Sequence, residues 1–300
     1  MDILDVGRII AGLVLLILGG EFLVRGASAL SRRVGISSLV VGLTVVSAAT
    51  SAPELAVTIG AVFRDEPGLA VGNVVGSNII NILFILGLSA LVLPLVVTRG
   101  LVRFDLPLMV AMSAGLLLMS LDGVISAVDG LILLCVVVAH TVMTIVISRR
   151  RTRSPADAAG STSGSPTKDV TDEDEESPAA STGKSLLLVV LGIALLVGGS
   201  TLLVEGAVNI ATTLGVSSLV IGLTVVAIGT SLPELMTSIT AVRRGERDMA
   251  VGNIVGSNIF NIGVVLGLPA LISLEGIPVS SAAVSLDIPV MLAASIALLP

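Results

Sequence analysis

The chain has no tryptophan, no tyrosine, one cysteine (Cys135) and one histidine (His140) among its 300 residues. A lone cysteine forms no internal disulfide. One Cys with one His removes zinc clusters and most nucleophile–base arrangements, so an enzyme is not expected. Charge is also scarce, at 13% of residues, against roughly a quarter in soluble domains. The net charge of −6 does not imply basic partners, because much of the acid sits in one segment, and nothing suggests nucleic-acid binding. The usual interfacial belt of Trp and Tyr is missing. The N-terminus lacks a charged start and a small-residue cleavage site, so the first apolar run reads as a retained helix rather than a signal peptide.

What is abundant is apolar sequence, 54% of residues with a mean hydropathy of +1.08. The runs exceed the ~20 residues that cross a bilayer. Helices are expected at 7–31, 37–63, 67–97, 105–120 and 124–148, then at 185–213, 217–243, 247–274 and 286–300. The fold class is therefore an all-α polytopic membrane protein. Residues 149–184 differ: a basic start at Arg149, a Ser/Thr/Ala/Gly/Pro stretch and the acidic run Asp172 to Glu176. That composition buries too little apolar surface to order itself and reads as a flexible, solvated spacer.

Residues 35–87 align without a gap to 215–267 at a constant offset of 180, with 33 of 53 positions identical. Farther on, Asp105-Leu106-Pro107 answers Asp287-Ile288-Pro289. The expected organisation is a first repeat at 1–148, the linker at 149–184 and a second repeat at 185–300. The second copy stops partway into its fourth helix, which reads as truncation. Five helices in the first repeat force the second to enter the membrane from the opposite side. With the N-terminus outside and the linker cytoplasmic, 13 of the 16 basic residues face inward, as the bias of cytoplasmic loops toward Lys and Arg requires. Two similar sequences of opposite topology mark a secondary transporter, with its site near the bilayer midplane.

The chemistry sits in two motifs, each present twice. Thr50-Ser51-Ala52-Pro53-Glu54 matches Thr230-Ser231-Leu232-Pro233-Glu234. A charge at the bilayer centre costs at least ~2.5–3.5 kcal/mol, and no Lys or Arg stands near either glutamate on its helix. A bound cation is the natural counter-charge. Each proline withholds a hydrogen bond from the carbonyl four residues back, that of Ala49 or Gly229. With the hydroxyls of Thr50, Ser51, Thr230 and Ser231, the set is all oxygen, which suits Ca²⁺ and Na⁺ rather than soft metals. The second motif, Gly72-Asn73-Val74-Val75-Gly76-Ser77-Asn78-Ile79-Ile80-Asn81, matches Gly252 through Asn261. Ser77 and Asn81 share a helix face, as do Ser257 and Asn261. Gly76 and Gly256 read as packing positions, and Asn73 and Asn78 as either ligands or interhelical bonds. Asp105 and Asp287 are expected to start helices and face their dipoles. Glu21, Arg25, Glu205 and Asp129 remain open between pathway and salt bridge; His140 and Cys135 are expected to face lipid or core.

These paired motifs resemble the alpha repeats of the cation/calcium antiporters, and within them the prokaryotic sodium/calcium exchangers. The resemblance covers both halves and implies ten helices in two inverted five-helix repeats. It also implies that the first and sixth helices slide against a core of the second, third, seventh and eighth. It implies that Glu54 and Glu234 ligate Ca²⁺, with carbonyl oxygens from Thr50 and Thr230. It places Na⁺ at Ser47, Ser51, Ser77, Ala227, Ser231 and Ser257, with Asn81 and Asn261 flanking the centre. Ser47 stands opposite Ala227 and Ala49 opposite Gly229, and Asn261 replaces the Asp of some members, which argues for potassium independence. The expected function is Na⁺/Ca²⁺ antiport across the cell membrane, by a chain read as a monomer, with no cofactor beyond the transported ions and the lipid bilayer around it. Rival readings are Ca²⁺/H⁺ exchange, with protons on the buried carboxylates, and a passive cation channel.

Overall fold

The computed structural model describes residues 3–95, 97–153, 182–215, 227–273 and 275–299. Residues 154–181 of the expected linker and 217–226 of the seventh expected helix lie outside them. The described helices are α1 (Ile3–Val34), α2 (Ser38–Thr50), α3 (Ala52–Phe63), α4 (Pro67–Val92), α5 (Leu101–Met119), α6 (Ala127–Arg153), α7 (Thr182–Thr213), α8 (Ala227–Thr230), α9 (Leu232–Arg243), α10 (Arg247–Ile272) and α11 (Ala283–Ile296). Six of them are long and apolar enough to cross a membrane, and α2 with α3 adds a seventh span bent by 44°. The bend corrects the reading of 37–63 as one helix. Its cause is local: Pro53 cannot donate into the preceding turn, and Ser51 leaves helical geometry at φ −81°, ψ 6°. Ser231, before Pro233, does the same at φ −87°, ψ 3°.

Other boundaries shift as well. Residues 149–153 continue α6, and 182–184 already belong to α7. The fifth helix begins at Ala127 rather than 124, because β1 (Val124–Ile125) pairs antiparallel with β2 (Ile277–Pro278). Alternation over two residues carries no legible signal, and the partner lies in the other repeat. Asp105 is the fifth residue of α5, not its start. Its carboxylate lies 2.8 Å from His140 Nε2 on α6, and both side chains are buried. Asp287, likewise five residues into α11, is exposed. Cys135 is exposed. Asp129 accepts hydrogen bonds from the Ser126 backbone and hydroxyl at the head of α6, and Glu205 is exposed.

Helices α1 and α7 lie against each other along their length. Glycines recur every seven residues on both, at Gly12, Gly19 and Gly26 and at Gly192, Gly199 and Gly206. A Cβ on Gly12 would lie 2.7 Å from the Gly199 carbonyl oxygen, one on Gly19 2.8 Å from the Leu196 nitrogen, and one on Gly206 2.7 Å from the Asp5 carbonyl. Position number rises along one helix as it falls along the other, so equivalent helices run antiparallel. That is the inverted relation between the repeats, seen directly. In a bilayer, such close backbone approach supplies the packing that hydrophobicity cannot.

The repeats also interlock. Helix α10 packs on α2, with Gly252 beside the Leu39 carbonyl and Gly256 beside Leu43 and Ser47. Glu21 on α1 pairs with Arg25 at 2.8 Å and with Arg244, which follows α9; this hydrogen bond raises the Arg244 guanidinium above its ordinary pKa. These residues form salt bridges, one of the two roles left open by sequence.

A candidate cation site

The two Pro-Glu motifs place Glu54 in the first turn of α3 and Glu234 in the first turn of α9. Both are fully buried, at 0% exposure. Each is met by the serine of the other repeat: Ser51 Oγ donates to Glu234 Oε1 at 3.3 Å, and Ser231 Oγ to Glu54 Oε1 at 3.4 Å. The second oxygen of each carboxylate has no hydrogen-bond partner. No Lys, Arg or His pairs with either glutamate among the described residues. Ser77 Oγ, Asn81 Oδ1 and Asn261 Oδ1 are likewise buried without partners. Most buried polar atoms in proteins are paired. These five unpartnered oxygens come from four helices and include one from each carboxylate.

The asparagines sit where the third helix of each repeat changes pitch. Asn81–Leu86 and Asn261–Leu266 are π-helical turns, 180 residues apart. Such wide turns recur at functional sites, because they displace side chains from the regular helical register. Asn81 Nδ2 donates to Asn258 Oδ1 at 3.2 Å, and Asn261 Nδ2 to Asn78 Oδ1 at 3.1 Å. The bonds again cross the repeats.

Of the residues named from sequence, Ser47, Thr50, Ser51, Ser77, Asn81, Thr230, Ser231, Ser257 and Asn261 are buried, and Ser51 and Ser231 contact the glutamates directly. Thr50 Oγ1 bonds Asn253 Oδ1 at 3.2 Å and approaches Ser257 Oγ at 3.4 Å. Ser47 Oγ donates back to the Leu43 carbonyl at 2.9 Å. Ala227 opens α8, and its side chain lies outside what is described. Asn73, left open by sequence, braces the bend: its Nδ2 reaches the Glu54 carbonyl at 3.1 Å and Thr58 Oγ1 at 2.9 Å. Asn253 repeats this with Ser238 at 3.0 Å. The hydroxyls of Thr58 and Ser238 were missed, although both stand at the 180-residue offset.

One expected oxygen is occupied. Ser200 on α7 donates to the Gly229 carbonyl at 2.7 Å, so that carbonyl is capped rather than open. Close packing on Gly229 allows this; a Cβ there would collide with Val204. No sequence signal marked Ser200, whose counterpart 180 residues earlier is Gly20. Ser200→Ala leaves a buried carbonyl unsatisfied at a cost of about 1–3 kcal/mol, so the purified variant is expected to melt several degrees lower. An unchanged melting temperature would show that the bond carries no stability.

The family model for "sodium/calcium exchanger protein" matches residues 4–146 and 184–299. The inner membrane protein YrbG of Escherichia coli is 42% identical over 273 residues, covering 90% of this chain and 81% of the relative. The sodium/calcium exchanger MaX1 of Methanosarcina acetivorans is 31% identical over 316 residues, covering 97% and 89%. Among solved structures, the sodium-calcium exchanger NCX_Mj superimposes with a TM-score of 0.81 at 32% identity, covering 100% of this chain and 90% of its own.

Proposed function

We propose that this chain, which belongs to the sodium/calcium exchanger protein family, exchanges Na⁺ for Ca²⁺ by alternating access, using Glu54 and Glu234 as shared ligands. Membership makes it a multi-pass membrane antiporter of the cation/calcium class; the coupling ion and the ligands are the proposal. One observation carries it: two fully buried carboxylates each keep one oxygen without a hydrogen-bond partner, with no basic side chain paired to either among the described residues. Buried charge of this kind needs a partner, and a hard cation matches an all-oxygen set.

Two carboxylates balance one Ca²⁺ or two Na⁺. Occupancy by either ion excludes a full set of the other, and this competition is the physical basis of coupling. A third Na⁺ would add one positive charge to the sodium-loaded state. The membrane potential would then contribute ~2.3 kcal/mol per 100 mV for that charge. The residues in roles are Thr50 and Thr230 carbonyls toward Ca²⁺, and Ser47, Ser51, Ser77, Ala227, Ser231 and Ser257 toward Na⁺, with Asn81 and Asn261 at the centre. The glycine-locked pair α1 and α7 is the body that slides. The chain sits in the cell membrane; its Escherichia coli relative is named an inner membrane protein. The basic-residue distribution puts the N-terminus outside.

The test is ⁴⁵Ca²⁺ uptake into proteoliposomes loaded with Na⁺. Uptake is expected to require an outward Na⁺ gradient. Uptake indifferent to Na⁺ and driven by a pH gradient would replace this reading with Ca²⁺/H⁺ exchange. Rapid flux without any counter-ion would replace it with a channel.

A further inference from the structure

Beyond the ligands themselves, we infer that Asn78, Asn258 and Met109 are positioning residues that set which end of the Asn81 and Asn261 amides faces the cation. This rests on reading the glutamate pair as a cation site. An amide presents oxygen on one side and NH₂ on the other, and only the oxygen serves a cation. The orientation follows from groups that can accept but not donate.

Asn78 lies against two such groups. Its Nδ2 is 3.2 Å from the backbone carbonyl of Asn258 and 3.6 Å from the sulfur of Met291. Neither carbonyl nor thioether has a proton to give, so the NH₂ of Asn78 must face them. Its Oδ1 then faces Asn261, which must answer with NH₂, at 3.1 Å. The Asn261 oxygen is thereby turned the other way, and it is one of the buried oxygens without a partner. The second half repeats the logic. Asn258 Nδ2 lies 3.6 Å from the sulfur of Met109, its Oδ1 accepts from Asn81 at 3.2 Å, and Asn81 Oδ1 is left unpartnered. Both methionines are fully buried. They stand four residues after the aspartate in the two Asp-x-Pro-x-Met stretches, 105–109 and 287–291.

The two halves are not equal. Asn78 has a carbonyl as well as a sulfur behind it, whereas Met109 Sδ is the one acceptor that Asn258 Nδ2 meets among the described residues. Without that sulfur, Asn258 can turn over and offer NH₂ to Asn81. Asn81 must then reverse and aim its own NH₂ at the cation.

The experiment measures ⁴⁵Ca²⁺ binding to the full chain in detergent, alongside thermal melting without Ca²⁺. Leucine keeps the volume of methionine and removes its sulfur. Groups that orient ligands from behind are worth about 10- to 100-fold in metal affinity. Met109→Leu is expected to weaken Ca²⁺ binding by about 10-fold with little change in the ion-free melt. Met291→Leu is expected to weaken it less, because the Asn258 carbonyl still holds Asn78. Met112→Leu, a buried methionine one turn along α5, is the volume control and should bind as the unmodified chain does. Asn258→Leu should reproduce the Met109→Leu loss. Equal affinity in Met109→Leu and Met112→Leu overturns the inference, as does a Met291→Leu loss matching that of Met109→Leu. Absence of Ca²⁺ binding by the unmodified chain would instead overturn the cation site itself.

Discussion

Glu54→Gln and Glu234→Gln are each expected to abolish Na⁺-driven ⁴⁵Ca²⁺ uptake, and to do so equally. Breaking a buried ionic set by neutralising one member costs about 3–5 kcal/mol, and each 1.4 kcal/mol is tenfold in affinity. Binding should therefore fall by about two to three and a half orders of magnitude, below what uptake detects. Equality follows from the geometry. Each carboxylate is 0% exposed, receives one serine hydroxyl from the opposite repeat, and leaves one oxygen unpaired. Melting separates this loss from misfolding. Glutamine matches glutamate in shape and removes one of two unpaired buried acids, so the ion-free variants should melt no lower than the unmodified protein. What should vanish is the rise in melting temperature on adding Ca²⁺, which is worth about 2.7 kcal/mol at a hundredfold excess over Kd. A variant that keeps a tenth of the uptake would mean that its glutamate is not a shared ligand.

Gly19→Leu is expected to be nearly as damaging for a different reason. A Cβ at this position would lie 2.8 Å from the Leu196 nitrogen and 2.9 Å from the Gly192 carbonyl oxygen. Those are backbone atoms of α7 and cannot swing aside, so the two helices must part. Forcing extra carbons into a close-packed contact costs roughly 1–3 kcal/mol, and here the whole α1–α7 seam is displaced along with it. The variant should melt markedly lower, and it should lose transport if the pair slides as one body, as proposed. Gly7→Leu supplies the contrast on the same helix: Gly7 is exposed, and no described atom lies within 4 Å of its Cβ position. Transport by Gly19→Leu at the rate of Gly7→Leu would show that close approach along this seam is dispensable.

The glutamates, their hydroxyl neighbours and the two central asparagines were legible because each is written twice. A carboxylate in a 20-residue apolar run is costly, and a second at the same place in a repeat makes chance a poor account. The breaks at Ser51 and Ser231 were half legible: the prolines announced freed carbonyls, but not that Ser200 would cap that of Gly229. Asp105 was misread because a carboxylate near a helix start has an ordinary local reading, and its bond to His140, which is buried as the core reading allowed, was not foreseen. Their contact spans 35 residues and two helices. Asn73 and Asn78 stayed open in the sequence for a similar reason, since the same amide serves as ligand or brace according to what faces it.

By itself, the sequence determined the membrane-spanning helices, the doubled motif and the acidic pair, because hydropathy, helical period and charge in an apolar run are local properties. Only the tertiary structure decided which oxygens stay unpaired and which are capped, which asparagine braces and which presents its oxygen, and where α1 and α7 lock. The reason is geometric. Inverted repeats bring antiparallel elements together, so the deciding bonds, Ser51 to Glu234, Ser231 to Glu54 and Asn81 to Asn258, join residues 177 to 183 positions apart. No local pattern encodes the direction in which an amide or hydroxyl points when its partner lies in the other half of the chain.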